Sequence, residues 1–307
     1  MTYLDLKVNQ TSSETKMREL LVIADQNGNS NPAFMHALEM AKNTDAKIEF
    51  VGFVHAAGVD SSEILSQSEK RKVHHKFIDD KLAQMESFLE GVDLGGVRVN
   101  PDVVWERSFE RWVTARCGQK SFDMIFKTGH RSESSTHVPS DWQLMRHCPD
   151  PVMIVGDKPW KAGGKILAAL DLSSSKEDSL KLNEEILRYS FIIAKATNSE
   201  VHACYSIALP TSLASFDFFD SDAYEIKMKE SIDPIIANLI KDGGLNKETL
   251  HLVSGKPAKE VLRIAEKIDA DVVVMGTKTR ISLRGRLLGN TAKSVLHDVH
   301  ADVVVIK

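Results

Sequence analysis

The chain has 307 residues, 42% of them hydrophobic and 27% charged, with only 17 glycines and 9 prolines, which suits a packed globular protein of two-domain length and excludes a collagen-like or low-complexity one. Its 39 basic and 43 acidic residues leave a net charge of −4, without the basic surplus that duplex binding draws on, so nucleic acid is not an expected partner. The longest apolar runs, such as 272–275 and 303–306, are strand-sized and far short of the ~20 residues that span a bilayer.

Taken from the start, residues 1–15 (MTYLDLKVNQTSSET) are polar and lack the basic head and apolar middle of a secretory signal, so a cytoplasmic location is expected. Residues 19–25 (ELLVIAD) form a short apolar run ending in aspartate, followed by a polar turn and a helix-length segment. A second β-rich run occupies 46–54 (AKIEFVGFV), and an amphipathic stretch from about 63 to 89 predicts a long helix. Further runs at 103–106 (VVWE), 123–127 (DMIFK) and 151–155 (PVMIV) predict three more strands with helices between them. After the Gly/Pro-rich stretch 156–164 (GDKPWKAGG) the pattern begins again: 165–171 (KILAALD), 200–207 (EVHACYSI), a helix from about 222 to 240, then 250–253 (LHLV), 271–275 (DVVVM) and 302–306 (DVVVI).

Strands rich in Val, Ile and Leu that alternate with helices predict βαβ units and parallel sheets covered on both faces. The expected fold class is therefore α/β, two tandem five-stranded parallel-sheet layer-sandwich domains, 1–156 and 157–307. Ligands of such sheets sit beyond the carboxyl ends of the strands, at the point where strand order reverses. In the second half that place is marked by Met275-Gly276-Thr277-Lys278-Thr279 and, further on, by Gly289-Asn290-Thr291-Ala292 opening a helix. Glycines let backbone approach an anion, and the first amides of a helix point donors at it, so a phosphate site is one reading; a tight turn and a helix start is the other.

These residues resemble the universal stress protein family, which pairs a strand ending in Asp with a G-x-x-G-x9-G-[ST] loop in one five-stranded α/β domain. The likeness runs from Met17 to Lys307 and is to the tandem, bacterial form, whose second loop also reads Gly-Asn-Thr-Ala. It implies a stress-response binding or regulatory protein whose second domain takes ATP or a related phosphorylated ligand. Leu170 and Asp171 would then lie against adenine and ribose, Met275 and Gly276 would flank the nucleotide, and Gly289, Asn290 and Thr291 would hold the phosphates. Single-domain members dimerise, which implies an internal pseudo-dimer here and leaves a homodimer open. Thr279 departs from the pattern, because ATP-binding members carry glycine at that position and a Cβ stands where backbone would approach phosphate. The first half departs further: Thr128-Gly129-His130-Arg131 is followed by no second or third glycine at the family spacing, so its nucleotide loop is expected to be degenerate, with Trp142, Leu144 and Met145 on a short helix covering the cleft.

Two other readings stay open, a slow ATPase using the 276–291 loop with Asp171 and a divalent ion such as Mg, and an interaction module with no nucleotide. No P-loop, dinucleotide-binding, zincin or nucleophile-elbow motif occurs. His202 and His251 fall on neighbouring predicted strands, with Cys204 two residues along, and are the candidate ligands of a zinc ion, although a satisfied strand histidine is the commoner role. Arg280, Arg284 and Arg286 crowd the phosphate-type loop, while His74 and His75 lie on a charged helix. Cys117, Cys148 and Cys204 are odd in number and widely spaced, which argues against a disulfide frame and for buried thiols.

Overall fold

The structure, a computed structural model, describes residues 17–26, 30–129, 140–156, 158–174, 176–209, 220–241, 244–277, 280–282, 285–287 and 289–307. It divides into two compact units, Lys16–Pro159 and Trp160–Lys307. The first unit runs β1 (Glu19–Ile23), α1 (Pro32–Thr44), β2 (Lys47–Val54), α2 (Ala57–Asp60), α3 (Gln67–Glu90), β3 (Val99–Trp105), α4 (Phe109–Gln119), β4 (Met124–Thr128), α5 (Ser140–His147) and β5 (Val152–Val155). The second runs β6 (Lys165–Ala169), α6 (Glu177–Thr197), β7 (Glu200–Ile207), α7 (Ser221–Lys241), β8 (Leu250–Ser254), α8 (Pro257–Ile268), β9 (Val272–Gly276), β10 (Arg280–Ser282), β11 (Gly285–Leu287), α9 (Asn290–Asp298) and β12 (Asp302–Ile306).

Within the first unit the strands pair in parallel in the order β3-β2-β1-β4-β5. The second unit repeats it as β8-β7-β6-β9-β12. Strand order reverses between β1 and β4 and again between β6 and β9, and at these two places a parallel α/β sheet opens a crevice at its carboxyl edge.

Local sequence explains where the elements stop. The Ser66 hydroxyl accepts from the Glu69 amide while the Ser66 amide donates to the Glu69 carboxylate, a capping box that starts α3 four residues later than its amphipathic pattern suggests. Helices α1, α6 and α8 end on Asp45, Asn198 and Asp269 at φ 57°, 52° and 55°, where a short polar side chain tolerates the left-handed conformation. Strand β3 extends back to Val99 through Asn100, Pro101 and Asp102, residues that argue against a strand; it lies at the edge of its sheet, where a proline can be accommodated. The hairpin β10–β11, antiparallel with Arg280 opposite Leu287, also breaks the expected plain loop before α9.

The first core is aromatic at its centre: Phe34 and Phe50 are fully buried with ring centroids 4.7 Å apart, and Phe88 meets them at 5.4 and 6.3 Å. The second is aliphatic, with Leu167, Ala168, Leu187, Ile193, Val273, Val274 and Val304 all fully enclosed. No helix among the described residues is long and apolar enough to cross a membrane.

Candidate functional site

A cavity of about 340 Å³ opens at the carboxyl ends of β6, β7 and β9 in the second unit. Leu170, Asp171, Met275, Gly276 and Thr291 all line it, so five of the expected ligand residues share one site although they come from three separate parts of the chain. Gly289 is exposed at the N-cap of α9, where no side chain caps the helix, and Asn290 is the helix's first residue. Thr279 lies outside the described residues, as does Arg284.

Asp171 is held in place by its backbone. Its amide donates to Asn183 Oδ1 at 3.0 Å, and Asn183 Nδ2 donates to the Asp171 carbonyl at 2.8 Å, so one buried α6 side chain clamps both sides of the residue. The Ser173 amide and hydroxyl both donate to Asp171 Oδ1, at 3.1 and 2.5 Å, which orients the carboxylate at the mouth of the cavity. Gly276 sits where a side chain could not: a Cβ there would come within 2.6 Å of Leu182 Cδ2.

Several lining residues carry no sequence signal of a site. Tyr205 and Cys204 come from β7, Tyr224 and Met228 from α7, and Ser179 and Asn183 from α6. Burial pushes the Tyr205 phenol and the Cys204 thiol each up to about 12, so both are neutral hydrogen-bonding groups at ordinary pH. An Asn on the buried face of an amphipathic helix is the one cue in the sequence, because such a group needs a partner.

The equivalent place in the first unit is built differently, and strand register shows how. Glu19 opposes Lys47 as Lys165 opposes Glu200, which puts Gly52 where the second unit has Tyr205. Leu20 opposes Met124 as Ile166 opposes Val272, which puts Lys127 and Thr128 where the second unit has Met275 and Gly276. The space is taken by charged side chains. Lys81 packs on Gly52 and donates to the Asp25 and Gln26 carbonyls at 2.6 and 3.1 Å and to Gln84 Oε1 at 2.9 Å. Burial pulls the Lys81 ammonium below its usual value, the nearby Asp25 pulling it back up. Lys127 donates to the Thr128 carbonyl and forms a buried ion pair with Asp141 of α5 at 2.9 Å. Thr128 Oγ1 donates to Asp25 Oδ2, at 2.9 Å, so the aspartate that corresponds to Asp171 is engaged from within. Leu144 and Met145 of α5 are buried, and Trp142 is half-buried.

His202 and His251 do meet, but as a hydrogen-bonded pair. His202 Nδ1 and His251 Nε2 are 3.0 Å apart with the rings stacked, and His202 Nε2 bonds Glu200 Oε2 at 3.1 Å. Cys204 lines the cavity instead, and among the described residues no group of three or more His, Cys, Asp or Glu side chains could hold a metal ion. Adjacent parallel strands bring the two imidazoles together, and they hydrogen-bond to each other. Burial, then repulsion from His202, Lys267 and Arg263, holds His251 below the ordinary histidine value. A base whose folded value is depressed contributes stability that is present above its unfolded value and lost as pH falls. Below about pH 6.5 the wild-type chain should therefore lose stability with a slope of up to about 1.4 kcal/mol per pH unit from this group, and His251→Gln should reduce that slope. Urea titrations of both proteins from neutral to mildly acidic pH check this, and identical slopes would refute it.

Residues 164–307 match the model of the universal stress protein family. Over 297 residues the chain is 28% identical to universal stress protein E of Escherichia coli K12, with 94% of each covered. The universal stress protein E homolog of Haemophilus influenzae is 25% identical, covering 95% of this chain and 98% of its own. Among solved structures, a functionally unknown protein from Pseudomonas aeruginosa PAO1 superposes with a TM-score of 0.70 at 22% identity, covering 95% of this chain and 93% of that one. A universal stress protein from Archaeoglobus fulgidus gives 0.58 at 16% identity, covering 95% and 97%.

Proposed function

Through its second half the chain belongs to the universal stress protein family, and we propose that it is a bacterial, cytoplasmic stress-response binding protein that holds ATP or a related phosphorylated ligand in the second unit. The observation that carries this reading is the cavity bounded by Asp171, Met275, Gly276 and Thr291 beside the uncapped start of α9. Free amides at a helix start favour an anion, and the exposed Gly289 leaves the approach to them open. In this reading Asp171 and Leu170 receive the base and sugar, Met275 and Gly276 wall the nucleotide, and Gly289, Asn290 and Thr291 face the phosphates, with magnesium accompanying ATP. The first unit, whose corresponding place is filled by Lys81, Lys127 and Asp25, serves as a structural partner and takes no nucleotide.

Gly289→Val provides a clean test. A Cβ at Gly289 meets nothing within 4 Å, and its backbone angles of −61° and 150° suit any residue, so the variant should fold and melt as the wild type does. With a phosphate in that open space, the valine side chain collides with it, and affinity should fall at least tenfold, about 1.4 kcal/mol. Calorimetric titration of both full-length proteins with ATP and magnesium reads the difference. Absence of binding to the wild type, or equal affinities, would overturn the proposal.

A further inference from the structure

Cys117 and Cys148 are far apart in the chain, yet the fold brings their sulfurs to 3.4 Å. Cys117 lies in the last turns of α4, and Cys148 directly follows α5, its amide bonded to the Leu144 carbonyl at 2.9 Å. Both are thiols in the structure, not joined by a disulfide. Disulfide sulfurs stand about 2.05 Å apart, so closure requires a movement of little more than an ångström between two helices already in contact. Cys204, the third cysteine, is on β7 of the other unit and lines the cavity there.

We propose that Cys117 and Cys148 form an oxidisable dithiol that closes to an intramolecular disulfide when the chain meets a peroxide. Cys117 retains 8% of its surface exposed and Cys148 none, so the oxidant reaches Cys117 first. The Cys117 sulfur attacks one peroxide oxygen, the O–O bond breaks, and the other oxygen leaves as water, giving a sulfenic acid at Cys117. Cys148 Sγ then attacks that sulfur; the S–S bond forms, the S–O bond breaks, and the hydroxyl leaves with the Cys148 proton as a second water. Two thiols lose two electrons, and two peroxide oxygens gain them.

The environment sets the rate as well as the product. The hydrogen bond that the Cys117 thiol donates to Cys148, burial and the nearby Asp150 carboxylate raise that thiol well above its ordinary value, so little thiolate is present at neutral pH. Reaction is consequently slower than at an exposed, low-pKa cysteine. Once sulfenic acid forms, the resolving sulfur is already beside it, and over-oxidation is outrun. The bridge then ties α4 to the end of α5, the helix whose Asp141 holds Lys127.

The test treats the full-length protein with hydrogen peroxide, alkylates remaining thiols under denaturing conditions, and maps peptides without reductant. The expected result is one linked peptide pair containing Cys117 and Cys148, lighter by two hydrogens, reversed by dithiothreitol, with Cys204 still alkylated. Cys148→Ala should stop at the sulfenic acid, trapped on Cys117 by dimedone, in a protein whose lost sulfur is a small buried group. A wild type that yields the same dimedone adduct and no linked peptide would overturn the proposal. So would sulfinic acid at Cys117, a bridge to Cys204, or a pair that remains fully alkylated after exposed methionines have oxidised.

Discussion

Asp141→Ala is expected to destabilise the first unit by about 3 kcal/mol, the lower end of the range for breaking a buried ion pair by removing one partner. The Lys127 side chain is 7% exposed and that of Asp141 10%, so the ammonium left behind has little access to water. Two other contacts moderate the loss, because Lys127 still donates to the Thr128 carbonyl at 2.8 Å and lies 5.4 Å from the centre of the Phe109 ring. Removing both charges should behave differently. In Lys127→Met with Asp141→Leu no buried charge remains, and the double variant should recover most of the stability, since an apolar pair of similar volume is often neutral or better. Trp105, Trp112 and Trp142 all belong to this unit, so urea unfolding followed by tryptophan fluorescence reports on it. If the double variant is as weak as the single one, the ion pair is not what holds α5 down.

Gly276→Ala should cost the second unit about 1–3 kcal/mol although it adds a single carbon. That carbon would lie 2.6 Å from Leu182 Cδ2 and 2.7 Å from Cγ, too close for a tilt of the side-chain tip to relieve. Either Leu182 swings into the cavity or α6 shifts outward; the first narrows the site and the second moves Asn183, which clamps Asp171. Combining Gly276→Ala with Leu182→Ala should therefore be less damaging than the sum of the two changes, a coupling expected of residues in contact. Thermal unfolding of the four proteins measures it. Strict additivity would show that Gly276 matters for a reason other than this contact.

The repeat and its βαβ units were legible because buried parallel strands must be written in Val, Ile and Leu, and those runs stand out between amphipathic helices. Their edges were less so. At β3 the strand-averse Asn100-Pro101-Asp102 hid half the element, since what decides there is its place at the margin of the sheet. The position of the cavity followed from strand order, whereas Tyr205 of β7 and Tyr224 of α7 joined it through packing that no local pattern specifies. The same holds for the first unit: a missing glycine spacing pointed to a changed loop, but the filling groups, Lys81 and Lys127, come from α3 and β4 and look in sequence like an ordinary helix lysine and an odd strand residue. The imidazole pair and the two neighbouring sulfurs likewise depend on distances across elements.

Pro101 has one more effect, on how copies of the chain behave when crowded. Strand β3 keeps its register with β2 from Ile48 opposite Val99 to Val54 opposite Trp105, so the donor that Pro101 lacks belongs to the other, unpaired side. An exposed sheet margin normally presents a row of amides on which a foreign strand can zip, the first step toward an aggregate. Here the row is interrupted near its middle, and Asn100 and Asp102 on either side are poor strand formers. The margin completes its own sheet and is a bad template for anyone else's.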